Sequence, residues 1–98
     1  MRRERHYFVY ILSSKRNGIL YIGISNNVLN RNWQHKQKED KKSFTARYDV
    51  NRLVYYETYS NVRAAIAREK QLKNWRREWK IKLIEKDNPT WRDLFDDF

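Results

Sequence analysis

Apolar residues gather in three short runs with strand character. The runs HYFVYIL (6–12) and ILYIGIS (19–25) are rich in β-branched and aromatic residues. The SSKRNG between them carries Asn17-Gly18, a strong turn signal, so the pair predicts an antiparallel hairpin. Two strands alone are not stable in water, and RLVYYETY (52–59) supplies a third. Elsewhere the pattern is helical. Asn26 and Asn27 offer N-caps for a helix over 28–38, ended by the polar, basic KEDKKS stretch. Ser60 is the expected N-cap of a helix from Asn61 to about Trp75, and REWKIKLIEK (77–86) either continues it or follows a kink. Asn88-Pro89 stops that segment, because the residue before a proline is pushed out of the helical region. Thr90 and Asp93 are placed to cap a last short turn that tucks Trp91, Leu94 and Phe98 onto the core. The predicted order is ββαβαα: one α+β domain over 1–98, a three-stranded antiparallel sheet flanked by helices.

Three places break this pattern. Gly23 stands inside a strand, where glycine usually marks a bulge or a close approach to the backbone, and Tyr21 shares its side of the pleat. In the first helix Leu29 and Trp33 form the buried stripe, while Asn27, Arg31 and His35 line up on the opposite face. In the second, Val62, Ala65, Ile66 and Leu72 define a core-facing stripe with Glu69 in its middle. A carboxylate there needs a partner, either a structural cation or a functional one such as a metal.

The chain has 98 residues, one domain's length, and no cysteine, so it has neither disulfides nor thiolate zinc sites and fits a reducing cytoplasm. No stretch approaches the length of a membrane span. Its 22 Lys and Arg against 12 Asp and Glu leave a formal charge of +10, and the bases are interleaved with aromatics in RNWQHK and KNWRREWK. A nucleic acid is therefore the expected partner, with Arg31, Lys36, Lys41, Lys42 and Arg47 as its expected contacts and a membrane surface excluded.

FVYIL, ten residues between two tyrosines, then LYIG, then R-x-x-x-H, resembles the GIY-YIG nuclease superfamily. REKQLKNWRREWKIKLIE and NPTWRDL are similar to its small stand-alone bacterial branch, and the likeness spans about residues 6 to 94. The resemblance implies the same three-stranded sheet and a divalent-metal-dependent phosphodiester hydrolase, with Mg²⁺ or Mn²⁺ as cofactor and DNA favoured over RNA. Carried over by position, Tyr10 and Tyr21 line the active site, Arg31 contacts the scissile phosphate, His35 joins the catalytic group and Glu69 binds the metal. Gly23 is expected to let the phosphate backbone come close. Whether Tyr21 or His35 takes the water's proton stays open. The sequence departs from the superfamily's motifs at Phe8, which replaces the first glycine, and at Ile24, where the excision-repair incision nuclease has a lysine. A late active-site asparagine has two candidates, Asn74 and Asn88. The alternative reading is a non-cutting nucleic-acid-binding module, for DNA or RNA, which has no need of Glu69.

Overall fold

The strands on either side of the Asn17-Gly18 turn determine how the sheet begins. In a computed structural model, which describes residues 6–26 and 48–97, β1 (Tyr7–Ser13) and β2 (Leu20–Ser25) pair antiparallel with Ser13 opposite Leu20 and Phe8 opposite Ser25. Asn17 takes the left-handed conformation at φ 57°, which asparagine tolerates. Gly18 serves a different need, since a Cβ there would collide with the Ser14 hydroxyl, which accepts a 2.9 Å bond from the Ile19 amide.

The third strand, β3 (Arg52–Tyr59), pairs antiparallel with the other edge of β1, giving the order β2-β1-β3. The first strand in sequence is thus the central one, and Phe8 to Ser13 are all buried. Both of its faces are covered. Val9 and Ile11 join Ile22, Val54, Leu72, Ile84 and Trp91 in the core under the helices. Phe8, Tyr10 and Leu12 join Val50 and Leu53 in a second cluster, with Tyr21, Tyr56, Leu94 and Phe95 against it. The register slips between Ile11 and Leu12, so that Val54 is an extra, bulged residue of β3.

Two helices follow, α1 (Val62–Asn74) and α2 (Arg77–Asp87). The cap of α1 is Asn61 rather than Ser60: its side chain accepts from the amides of Arg63 at 2.8 Å and Ala64 at 3.3 Å. The helices are separate, because Trp75 and Arg76 both adopt extended backbone with ψ near 150°. The buried stripe of α1 also differs from the expected one. Ala65 and Leu72 are buried, while Val62 and Ile66 are 40% and 39% exposed. The physical reason is Arg68, which turns inward to an ion pair with Glu57 of β3 and so sets the helix's rotation. The helix expected over 28–38, like Phe98, lies outside the described residues, so the described order is β1, β2, β3, α1, α2 and a short 3-10 turn at Leu94–Asp97.

Asn88 ties the C-terminal segment to the bulge. Its backbone amide closes α2 on the Ile84 carbonyl at 2.8 Å. Its side-chain Nδ2 donates to the Val54 carbonyl at 3.1 Å and the Arg92 carbonyl at 2.8 Å, and its Oδ1 accepts from the Arg92 amide at 3.0 Å. The chain can then turn back, with Trp91 at φ 59°, a strained value for a bulky residue held by full burial of the indole and its bond to Glu85 at 2.9 Å. Asp93 caps the final turn as expected, accepting from the amides of Phe95 at 3.0 Å and Leu53 at 3.2 Å.

Asn88→Ala leaves a buried carbonyl and amide without partners, and it should lower stability by about 2–3 kcal/mol in urea denaturation. Asn88→Asp, which keeps the shape and removes both donors, should fall in the same direction. A loss under about 0.5 kcal/mol for both would show that the clamp contributes little.

Candidate active site

Cross-strand pairing assembles the first part of the site. Tyr10 of β1 lies directly opposite Gly23 of β2, and Tyr21 stands two residues along on the same face. A Cβ at position 23 would run into the Tyr10 hydroxyl and the ring carbon that bears it. A close approach at Gly23 therefore exists, and the group that makes it is the Tyr10 phenol. The absent side chain lets Tyr10 lie down beside Tyr21, with ring centroids 6.3 Å apart and planes tilted by 35°. Tyr10 is buried and Tyr21 is partly exposed, so the pair presents one sequestered and one accessible phenol.

Burial first, and then the charge of Tyr21 and Glu69, push the Tyr10 phenol far above the ordinary tyrosine value. Tyr10 is a neutral hydrogen-bonding group at physiological pH and not a base. Glu69 of α1 is the smallest of the three causes, acting on Tyr10 by its charge. The Glu69 side chain is only 16% exposed, and its ion pair with Lys73, one helical turn on, is long at 3.7 Å. Lys73 itself is 53% exposed, so this pair contributes a few tenths of a kcal/mol, about what surface helix pairs give.

The donor set limits which metal the site suits. Among the described residues no three His, Asp or Glu side chains gather to form a protein cage. A half-buried single carboxylate with a loose partner fits a hard, hydrated divalent ion such as Mg²⁺, which takes one or two carboxylates and fills its remaining positions with water and phosphate oxygens.

The neighbour of Glu69 in sequence points elsewhere. Arg68 grips Glu57 through Nε at 2.9 and 3.2 Å and Nη2 at 2.9 Å, donates to Gln71 at 2.7 Å, and stacks 5.0 Å from the Trp75 ring centre. Tyr55 and Tyr59 also donate to Glu57, Tyr59 at 2.6 Å. Burial opposes ionisation of Glu57, yet the donors from Arg68, Tyr55 and Tyr59 outweigh it and hold the carboxyl below its ordinary value. This network was not anticipated, although the alternation Tyr55-x-Glu57-x-Tyr59 put the three side chains on one face. It is a structural device: it fixes α1 on the sheet and with it the direction of Glu69.

A groove of about 380 Å³ opens beside Tyr21, bounded by Leu20, Tyr21 and Ile22 of β2, Lys73 of α1 and Lys80 of α2. The start of α2 is pinned to the hairpin by Arg77, whose Nη2 donates to the carbonyls of Asn17 at 2.6 Å and Gly18 at 2.7 Å. Of the two candidate late asparagines, Asn88 has its amide committed to the clamp, and Asn74 is exposed at the end of α1. Arg31, His35, Lys36, Lys41, Lys42 and Arg47 lie outside the described residues.

A β2-β1-β3 antiparallel sheet with two helices on it and paired tyrosines on its first hairpin defines a nuclease-type domain. The chain belongs to the GIY-YIG family, matching the GIY-YIG catalytic domain over residues 6–82. Similar proteins are the small UPF0213 proteins of bacteria. One from Staphylococcus epidermidis is 35% identical over 79 residues, 81% of this chain and 94% of that protein. One from Staphylococcus haemolyticus is 38% identical over 81 residues, 83% and 95% of the two chains. A third, from Bacillus pumilus, is 34% identical over 85 residues, 87% and 84%. These names carry no activity. No solved structure matches the chain.

Gly23→Ala should cost about 1–3 kcal/mol, because the added methyl meets the Tyr10 ring in a packed site. In a Tyr10→Leu background the same change should cost well under half as much, and equal costs in a double-mutant cycle would show that the two positions are not coupled. Glu69→Gln should leave stability within about 0.5 kcal/mol, since it breaks only a loose pair, while any rise in melting temperature that Mg²⁺ or Mn²⁺ gives the wild type should disappear. A strongly destabilised Glu69→Gln that keeps its metal response would make Glu69 structural.

Proposed function

We propose that this chain is an endonuclease of the GIY-YIG type, hydrolysing phosphodiester bonds in DNA with little sequence preference in a single, cytoplasmic domain that uses Mg²⁺ or Mn²⁺. The observation that carries the reading is the gathering of Tyr10, Tyr21 and Gly23 on one hairpin face, with the Glu69 carboxylate close enough to act on Tyr10. A surface that only held nucleic acid would gain nothing from a half-buried carboxylate there, since by itself it repels phosphate.

The roles follow from the chemistry. Tyr10, kept neutral, donates a hydrogen bond and holds Tyr21 in place. Tyr21, partly exposed beside the groove, meets the substrate, and either it or His35 takes the attacking water's proton. Arg31 offers a forked cation that matches a phosphate in two directions and is worth most when charge builds on the phosphoryl oxygens. Glu69 would hold the divalent ion, which when bound supplies Lewis-acid stabilisation of the phosphate charge. Lys36, Lys41, Lys42 and Arg47 contribute sequence-independent attraction to the backbone, in keeping with the +10 charge. Phe8 and Ile24, which replace a glycine and a lysine of related motifs, favour slow turnover.

Purified protein with Mg²⁺ or Mn²⁺ should nick or cut at least one of plain, nicked, flapped or branched DNA. Side by side, Arg31→Ala and Glu69→Ala should each lower the rate about 10²–10³-fold, the usual effect of removing a transition-state donor or charge, with Tyr21→Phe and His35→Ala separating the two candidate bases. Cleavage that ignores both Arg31→Ala and Glu69→Ala comes from a contaminant. Absence of cleavage on every substrate makes the chain a non-cutting binding module.

A further inference from the structure

Lys73 and Lys80 come from different helices and converge on the groove beside Tyr21. Their convergence is built into the fold. Arg77 fixes the first turn of α2 to the Asn17 and Gly18 carbonyls, and Lys80, three residues on, reaches back so that its Nζ lies 3.5 Å from the Lys73 carbonyl at the end of α1. A cation near the C-terminal carbonyls of a helix is stabilised there, so the Lys80 charge is held at the groove rather than spread through solvent. Lys73 is held less firmly, by one carboxylate at 3.7 Å, with 53% of its side chain exposed. Among the described residues that line the groove none is acidic, so Glu69, outside the lining, is the carboxylate that offsets Lys73, and the other walls are Leu20, Tyr21 and Ile22. A concave, doubly cationic channel with an aliphatic and phenolic wall complements a phosphate backbone.

We propose that this groove is the track followed by the nucleic-acid strand next to the phosphate at Tyr21, with Lys73 and Lys80 each neutralising one backbone phosphate. The proposal rests on the nuclease reading above and adds a second contact surface, formed by α1, α2 and β2, to the one expected from Arg31 to Arg47. Lys73 is then shared: paired with Glu69 in the free protein, it is available to phosphate when a strand lies in the groove. These contacts bind and orient the strand and take no part in the bond-breaking step.

The test is binding without cutting, measured by fluorescence anisotropy of a labelled DNA in EDTA between about 50 and 200 mM salt. Each phosphate contact contributes about 0.7–0.9 to the slope of log K against log salt, so Lys73→Gln/Lys80→Gln should flatten the slope by about 1.4–1.8 and weaken binding about tenfold or more. Lys73→Arg/Lys80→Arg, which keeps both charges, should restore the wild-type slope. The charge-matched control is Arg63→Gln/Lys86→Gln, two exposed cations outside the groove, which should change the slope by less than about 0.5. If the double variant fails to fold, as read from its melting curve, each single Gln variant carries the test with an expected slope change of about 0.7–0.9. A groove variant indistinguishable from the control overturns the track while leaving the nuclease reading intact. A wild type that binds no DNA at any salt overturns both.

Discussion

The tip of the Tyr10 ring occupies the volume that any side chain at position 23 would need. Because these residues face each other across a ladder, the contact constrains register as well as packing. A one-residue slip of β2 would bring Ile22 or Ile24 opposite Tyr10 and turn its whole apolar set to the wrong face. Register in turn decides which cluster each side chain of β1 enters: Val9 and Ile11 under the helices, Phe8, Tyr10 and Leu12 on the far side. A central strand buried on both faces tolerates no second solution. The pairing of two phenols at one site is therefore a consequence of how the core closes.

The helices depend on a second, polar constraint. Glu57 collects three donors on the helix side of β3, and Arg68 answers from α1 while lying over Trp75. Adjacent residues on a helix point about 100° apart. With Arg68 fixed toward β3, the neighbouring Glu69 pairs with Lys73, which borders the groove. One ion pair thus decides where a neighbouring carboxylate goes. A buried pair of this kind adds little net stability over apolar packing, and its value here is directional.

The three strands and two of the helices were legible because their periods and caps are local signals. Gly23 announced a close approach, and the approach that the structure describes there is by Tyr10, whose place opposite Gly23 follows from a register centred between Arg16 and Asn17 that the Asn17-Gly18 signal alone does not give. The rotation of α1 was misread for a related reason. Val62 and Ile66 look like core residues by hydropathy and Arg68 like a surface one, and only the distant Glu57 reverses the order. The bulge at Val54 left no mark in composition, and neither did the role of Asn88, whose side chain satisfies the carbonyl that the bulge frees. Family membership follows from residues 6–82 as the motifs suggested. Tyr10, Tyr21 and Glu69 stood out in the sequence by motif and pattern, whereas Lys73 and Lys80, which line the groove, had no signal beyond being two lysines among many.

Placing the first strand in the middle divides the chain into two regimes of tolerance to length. The β1–β2 connection is six residues between Ser13 and Leu20, and its geometry sets the ladder, so a single inserted residue would carry Gly23 away from Tyr10. The connection from Ser25 to Arg52 joins two strands on opposite edges of β1, and nothing in the ladder fixes its length. That segment also contains Arg31 and His35. The ladder therefore leaves the length of the connection that carries Arg31 and His35 open, while Tyr10, Tyr21 and Gly23 stay locked in register.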